Sequence, residues 1–223
     1  MRPILFNTEM VRAILEGRKT VTRRVIKGNT EGLYAGKCLL GTGLFDEKTN
    51  QRVIEPPYKV NDILYVRETW RWLPCFECGR DIWSEPPCLE GKFNHKYGNT
   101  GCYAFKADIP DDDTDYFKWK PSIHMPKEAA RIFLRVTDVR VERLLNITEE
   151  QAWKEGIVSE CARCKSYNSL ECQECANEHE AYNDFMDLWD STIKKDQLNK
   201  YGCEANPNVW VIEFERVERE EVL

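Results

Sequence analysis

The chain has 223 residues and a formal net charge of −6 at pH 7. That length suits one enlarged domain with its own core, and the negative charge excludes indiscriminate binding to duplex nucleic acid. No apolar run approaches membrane-spanning length, the first residues lack the apolar region of a signal peptide, and ten cysteines in such a chain argue against a disulfide framework. We therefore expect a single cytoplasmic domain over residues 1–223, with no membrane partner.

The first predicted element is a short helix followed by a basic strand, in the sequence NTEMVRAILEGRKTVTRR at residues 7–24. Asn7 or Thr8 can cap the helix, its apolar residues recur at helical spacing, and Gly17 stands where a helix usually ends. The β-branched residues that follow alternate with basic residues and predict a strand. Residues 1–27 hold seven basic and two acidic side chains, so positive charge gathers at this point of an acidic chain.

The basic cluster around the start of this strand consists of Arg18, Lys19, Arg23 and Arg24. One interpretation is a solvated strand edge, since Lys and Arg prevent edge-to-edge pairing of sheets. The other is a binding site for an anion or a nucleobase, with Lys19 and Thr22 carrying the chemistry. Residues 19 and 22 of a regular strand point to opposite faces, so they can converge only if Lys19 lies in the turn after Gly17.

The middle of the chain alternates between irregular and strongly patterned segments. Residues 28–55 are rich in glycine and predict a loop or an irregular hairpin. Residues 63–68, ILYVRE, are rich in β-branched and aromatic residues and predict a buried strand. Arg67 and Glu68 end this strand, where they are candidates for a ligand pocket or for a structural ion pair.

Further strands are predicted at residues 101–107, 131–143 and 208–217. In the longest of them the apolar residues change parity at Thr137 and Asp138, which is typical of a β-bulge. Short strands with a bulge and few helices favour a small barrel over a parallel sheet. We therefore expect an α+β fold, mainly β, built on a small β-barrel with short flanking helices.

Two more helices are predicted in the second half of the chain. Thr148 and Gln151 have the spacing of a capping box, in which each side chain satisfies the free backbone amide of the other. Gly156 ends this helix after barely two turns. An amphipathic helix follows and extends to about Ser191.

Four cysteines form the most specific chemical motif of the chain, with the spacing C-x2-C-x7-C-x2-C: Cys161, Cys164, Cys172 and Cys175. Each C-x2-C pair directs two thiolates to one ion, and two pairs complete the tetrahedron of a structural zinc site with no position open for catalysis. The alternative is four free or redox-active thiols. His179 could also replace one of the cysteines as a ligand.

A second set of candidate metal ligands comprises Cys75, Cys78, Cys88 and Cys102, with His95 as an alternative to Cys102. Cys75 and Cys78 form one good half-site, whereas the other half is irregularly spaced. These residues therefore indicate either a second zinc ion or buried thiols without a metal. The two cysteine-rich segments are interpreted as insertions at about 71–101 and 158–178.

Four motifs, taken in order along the chain, resemble the ASCH domain family: GRKTVTRR, DILYVRETW, VTDVRVERLLNITEEQAWKEGI and NVWVIEFERV. The framing sequences RPILFNTEMVRAILEGRKT, KPSIHMP and FMDLWDS are similar to members common in bacteriophages and prophages. The resemblance covers most of the chain outside the cysteine insertions and residues 28–55. It implies a PUA-like small β-barrel, here with one or two zinc-knuckle insertions, in the host cytoplasm if the chain is phage-encoded.

The resemblance also implies a function, because ASCH domains are regarded as modules that bind RNA or nucleotides. Some small bacterial members are amidohydrolases that deacetylate N4-acetylcytidine with a lysine, a threonine and a glutamate. Those residues fall on Lys19, Thr22 and Glu155 of this chain, although Glu155 can also be a solvated helix residue. The first hypothesis is a cleft for single-stranded RNA or a nucleobase, lined by Lys19, Thr22, Arg67 and Glu155. The alternatives are an amidohydrolase on an acylated cytidine and a phage interaction or assembly protein.

Overall fold

The structure is a computed structural model, which describes residues 1–38, 41–75, 92–94, 99–109, 118–157 and 181–221. In these ranges the fold is α+β, with more residues in strands than in helices. The helices there are α1 (Thr8–Leu15), α2 (Glu149–Lys154), α3 (Ala181–Thr192) and α4 (Leu198–Tyr201). The strands there are β1 (Arg2–Leu5), β2 (Val21–Val25), β3 (Leu33–Cys38), β4 (Gly41–Asp46), β5 (Arg52–Ile54), β6 (Ile63–Arg67), β7 (Trp70–Pro74), β8 (Lys92–Asn94), β9 (Asn99–Phe105), β10 (Phe133–Arg143) and β11 (Asn208–Val217). Among the described helices, none combines the length and the apolar character needed to cross a membrane.

A five-stranded sheet in the order β1-β6-β10-β11-β2 carries the candidate site. β1 runs parallel to β6, and the other neighbouring strands are antiparallel. The register of β10 against β11 shifts between Val136 and Asp138, so the predicted bulge is confirmed. Because of this bulge, Val136 and Val139 both reach the same hydrophobic core although their sequence parity differs.

The five-stranded sheet curls until its two edge strands face each other. Arg24 of β2 donates from Nη2 to the backbone oxygen of Leu5 in β1 at 2.8 Å. This contact is made by a side chain, whereas the backbone ladder ends at β1 on one side and at β2 on the other. The sheets formed by the described strands are therefore not closed into the barrel that the sequence predicted.

Two smaller sheets flank the main one, with the orders β3-β4-β5 and β7-β9-β8. The hairpin of β3 and β4 confirms the hairpin alternative for the glycine-rich region. Strand β7 occupies residues that the sequence assigned to the start of a cysteine insertion. Its Trp70 and Trp72 are buried against Tyr103 and Met125, and this packing holds the segment in a strand despite Pro74 at its end.

Strand β11 is buried on both faces, which explains its nearly continuous apolar sequence. Trp210, Ile212 and Phe214 belong to the core that also contains Val11 and Ile14 of helix α1. Val209 and Val211, on the opposite face of β11, belong to a second core under helices α2 and α3. The prediction that Trp210, Ile212 and Phe214 share one face is thus confirmed. Because β2 lies beside β11 in the sheet, one face of β2 also points toward each of the two cores.

The helix ends follow the capping signals of the sequence. The Asn7 side chain caps α1 by accepting from the Met10 amide at 2.8 Å. Thr148 and Gln151 form the predicted capping box of α2. Both helices end beside a glycine with positive φ, at +76° for Gly17 and +87° for Gly156.

Candidate functional site

The candidate site forms where the turn before β2 meets the end of helix α2. Lys19 and Glu155 make an isolated antiparallel bridge, and the Thr20 amide donates to the Lys154 oxygen at 2.9 Å. A Cβ atom at position 156 would lie 2.8 Å from that of Ala13 and 3.0 Å from that of Lys19. Only glycine permits this approach, so Gly156 brings together two segments that are far apart in the sequence.

Lys19 and Glu155 form an ion pair inside the protein. Lys19 Nζ donates to Glu155 Oε2 at 2.7 Å and to the Glu155 backbone oxygen at 2.8 Å. The two side chains are 0% and 3% exposed. Burial lowers the pKa of Lys19 below its ordinary value, and the carboxylate of Glu155 acts in the opposite direction. The solvated-helix interpretation of Glu155 is therefore wrong, because its side chain is enclosed.

Arg23 is the second cation on this carboxylate. Its Nη1 donates to Glu155 Oε1 at 3.1 Å, and its Nη2 donates to Gln151 Oε1 at 2.7 Å and Glu142 Oε2 at 3.2 Å. Glu142 also accepts from Arg140 Nε at 2.6 Å. Side chains of alternating charge thus contact one another in a series that begins at the buried Lys19 and ends at Arg140, a half-buried residue of β10. Arg23 is enclosed, so the solvated-edge interpretation is wrong for this residue. Its Nε is a buried donor that has no hydrogen-bond partner among the described residues.

Thr22 lies on the other face of β2, opposite Ile212 of β11. The residue is 3% exposed. Within the described residues its hydroxyl makes no hydrogen bond, including none to Lys19 or Glu155. Lys19 does lie in the turn after Gly17, as the convergence of residues 19 and 22 requires. All three predicted catalytic residues are therefore buried. Lys19 and Glu155 are joined by a hydrogen bond, whereas Thr22 lies three positions after Lys19 and contacts neither through a described hydrogen bond.

Arg24 shares the face of Thr22 and lines an open pocket between the two edge strands. The pocket has a volume of about 410 Å³. Ile4 and Leu5 of β1 and Trp210 of β11 contribute to its walls, together with Lys27. Sequence reasoning named Arg24 but missed Lys27 and Trp210. The only available signal was the pairing of Arg24 with Trp210, which appears once β2 is aligned against β11.

The remaining basic candidates lie outside the buried network. Arg18 is exposed and donates to Glu16 and to the Gly156 oxygen. Arg67 Nε donates to the Met125 oxygen at 2.9 Å, and no described hydrogen bond joins Arg67 to Lys19 or Glu155. The predicted cleft is therefore only partly assembled by the contacts that the structure describes.

Glu68 is buried and belongs to a separate ion-pair cluster. Its two carboxylate oxygens accept from Arg131 at 2.9 and 3.0 Å, and Arg131 also contacts Asp108 at 2.7 Å. Burial raises the pKa of Glu68, and its hydrogen bond with Arg131 opposes that change. The alternative interpretation of a structural ion pair thus fits Glu68, with Arg131 as its partner.

Most of the predicted zinc ligands lie outside the described residues: Cys78, Cys88, His95, Cys161, Cys164, Cys172, Cys175 and His179. Within the described ranges, no group of three or more metal-binding side chains occurs. Cys75 and Cys102 are described. Pro74 pairs with Gly101, so each of these two cysteines directly follows a residue of that pair. Zinc binding remains a prediction.

No family model, curated protein or solved structure matches this chain. Membership of the ASCH family therefore remains a prediction from the four motifs. The functional proposals below are supported by the geometry of strand β2 and helix α2 together with that resemblance.

Proposed function

We propose that this chain binds a nucleobase or a modified nucleoside of single-stranded RNA at the surface where β2 meets α2. The observation that carries the proposal is the buried network of Lys19, Arg23 and Glu155 beside the open pocket lined by Arg24. We also propose a PUA-like fold, supported by the curled sheet and its bulge, and a cytoplasmic location.

The buried network of Lys19, Arg23 and Glu155 supports a functional role, because such a network is expected to add little to the free energy of unfolding or to reduce it. Removing two cations and a carboxylate from water costs several kcal/mol per ion, and hydrophobic residues of similar volume are often at least as stable. Buried ionisable groups with shifted pKa values also concentrate at functional sites. Burial lowers the pKa of Lys19 in this way. The donors and acceptors of such a network can recognise the edge of a base.

Single-stranded RNA is the proposed context because its bases are accessible, whereas the deep major groove of duplex RNA hides them. Arg23 is enclosed, and both of its terminal nitrogens donate to side-chain acceptors, so it is not the residue that contacts phosphate. Arg24 and Lys27 line the open pocket and are the cations available to the backbone of a strand.

Fluorescence anisotropy with short labelled RNA tests this function. We expect single strands to bind, duplexes to bind more weakly, and affinity to fall with added salt because phosphate contacts release counterions. Glu155→Gln should weaken binding by about tenfold, since Lys19 and Arg23 lose the carboxylate that holds them. Glu150→Gln on the same helix is the matched control, because Glu150 is exposed and its one ion pair within the described residues is with Lys154. Absence of binding by any single strand or nucleoside would refute the proposal.

A second candidate function is hydrolysis of an acylated cytidine, favoured by the Thr22 hydroxyl, which makes no hydrogen bond within the described residues although the residue is only 3% exposed. In this reaction the Thr22 oxygen attacks the acyl carbonyl carbon and its proton passes to neutral Lys19. The C–N bond then breaks, the amine of cytidine leaves with a proton, and water releases the acid from Thr22.

Incubation with N4-acetylcytidine and chromatographic detection of cytidine tests this second function. Thr22→Val removes the hydroxyl at nearly constant volume and should abolish product formation. Thr20→Val is the matched control, because Thr20 is exposed and only its backbone atoms make described hydrogen bonds. If the wild-type protein forms no cytidine, or if Thr22→Val remains active, the hydrolase proposal fails and the binding function stands alone.

Structural zinc is proposed as the cofactor of the cysteine-rich segments, with Cys161, Cys164, Cys172 and Cys175 as ligands of one ion. Cys75, Cys78, Cys88 and Cys102 are proposed as ligands of a second. The register of β7 and β9 supports the second set, since Cys75 directly follows the end of β7 and Cys102 lies on the neighbouring strand β9, opposite Leu73.

A further inference from the structure

We propose that the pocket between β1 and β2, here called the seam pocket, binds a nucleotide through its 5′-phosphate, with Arg24 as the anion-binding residue. The inference rests on the proposed function in one respect, namely that the ligand is a nucleotide. It adds a distinct subsite for a further nucleotide, because the proposed function places its base at the Lys19–Glu155 network and names Arg24 and Lys27 only as cations near the RNA backbone.

Arg24 has donors to spare at this position. Its one described hydrogen bond runs from Nη2 to the Leu5 oxygen, and it makes no ion pair with a carboxylate among the described residues. Its guanidinium stacks at 5.3 Å from the centre of the Phe6 ring. The neighbouring Arg23, in contrast, donates from its terminal nitrogens to three side-chain acceptors. Burial lowers the pKa of Arg24, and the charge of Glu155 opposes that change without a described hydrogen bond to the guanidinium. A largely buried guanidinium whose donors do not reach a carboxylate gains from an anion that accepts two parallel hydrogen bonds.

The charge around the pocket favours an anion. Lys27 lines the pocket together with Arg24. Arg2 lies close by, because its guanidinium is 5.5 Å from the ring centre of Tyr58, another lining residue. Glu55 is the one acidic residue in the described lining, and it pairs with Arg52. The lining therefore carries a net positive charge that attracts phosphate.

The size and the apolar walls of the pocket favour a ligand that also has a flat uncharged part. A volume of about 410 Å³ falls in the usual range for small-molecule sites. Ile4, Val25 and Pro57 offer apolar surface, and Trp210 lies beneath the pocket. These walls suit the sugar and base of a nucleotide, with its phosphate at Arg24. The nucleotide can be free or can stand at the 5′ end of an RNA strand.

Isothermal titration calorimetry at low salt tests the seam pocket with four probes: cytidine, cytidine 5′-monophosphate, inorganic phosphate and a short RNA with or without a 5′-phosphate. We expect the monophosphate to bind about tenfold or more tightly than cytidine, which is the gain from one hydrogen bond to a charged group. Tighter binding of the 5′-phosphorylated RNA than of its hydroxyl form would identify a strand end as the ligand. A preference confined to the free monophosphate would identify the mononucleotide.

Arg24→Gln and Lys27→Gln should each reduce the advantage of the 5′-phosphate by about tenfold. Arg216→Gln is the matched control, since Arg216 is an exposed arginine on β11, about 20 Å along the strand from Trp210. Arg24 also bridges two strands, so Arg24→Gln can destabilise the sheet. Lys27 is exposed and makes no hydrogen bond in the described part of the chain, so Lys27→Gln decides the question in that case.

The outcomes separate this inference from the proposed function. Equal affinities for cytidine and its monophosphate, or an unchanged phosphate preference in both variants, would overturn the seam pocket. If RNA still binds in a Glu155-dependent way under those results, the proposed function survives alone. Binding of inorganic phosphate that both variants retain would likewise place the anion elsewhere and refute the inference.

Discussion

Lys19 is a cation that has almost no contact with water. Among the residues that the structure describes, Glu155 supplies the one carboxylate within hydrogen-bond distance of its amino group. Burial favours the neutral amine, and Glu155 favours the charged form. The protonation of Lys19 therefore depends on this one partner, and any ligand or substitution that moves Glu155 changes it.

The lowered pKa of Lys19 predicts that its contribution to stability depends on pH. Between its folded-state pKa and the ordinary value of 10.5, the unfolded chain binds the proton and the folded chain does not. The unfavourable contribution is thus complete below the folded-state pKa and disappears as pH rises to 10.5. Urea unfolding from pH 7 to 10.5 should show wild-type stability rising relative to Lys19→Met, by at most about 1.4 kcal/mol per pH unit. A difference that is flat or falls with pH would contradict this prediction.

At the residue scale, the sequence indicated which residues form the site, but it did not indicate how deeply their side chains are buried. The basic cluster indicates Lys19 and Thr22, the family resemblance adds Glu155, and all three residues are buried. One of the two sequence interpretations places Arg23 on a solvated edge, but Arg23 lies on the same face of β2 as Val21 and so faces the core under helix α3. That parity was visible in the sequence. The pocket at Arg24 was not, because it depends on β1 lying across from β2.

The close approach of helix α2 to the turn before β2 depends on the lack of a side chain at Gly156. Gly156→Ala should cost about 1–3 kcal/mol of unfolding free energy, because it combines a strained positive φ with a close contact to the backbone-proximal atoms of Ala13 and Lys19. Gly17→Ala is a matched control, since Gly17 has a similar φ and no atom within 4 Å of the added Cβ. It should cost about 1 kcal/mol, the strain alone. Equal losses in urea unfolding would show that the close approach is unimportant.

At the element scale, the sequence predicted features that are specified locally. The cap at Asn7, the capping box of Thr148 and Gln151, and the bulge in β10 depend on neighbouring residues, and each is confirmed. Strand β1 was missed because four residues that include a proline carry little periodicity. It is a strand because it pairs in parallel with β6, about sixty residues later in the sequence. Strand β7 was obscured in the same way by its proline and the cysteine that follows.

At the scale of the whole molecule, metal content is the main open prediction of the sequence. Elemental analysis of protein purified without added metal should give about one or two equivalents of zinc. Acid should release the metal, because the thiol ligands must be deprotonated to bind it. Cys161→Ser with Cys164→Ser should remove one equivalent. Less than about half an equivalent in the wild-type protein would contradict the prediction.

Cys203→Ser provides the matched control for the zinc measurement. Cys203 lies outside both cysteine clusters, and its thiol donates to Asp190 Oδ2 at 3.0 Å. This substitution should leave the zinc content unchanged. A loss of metal in this variant would show that general destabilisation, and not loss of ligands, lowers the zinc content.

The strand order also determines when the protein can fold during its synthesis. Among the described strands, β2 pairs with β11 alone, and the two are separated by most of the chain. At roughly 5–20 residues per second, a ribosome needs about 10–40 s to make the intervening residues. Throughout that delay Lys19 and Arg23 remain hydrated, because their partner Glu155 and the covering strand have not yet come together. The nascent chain therefore never buries these charges before their counter-charge has been translated.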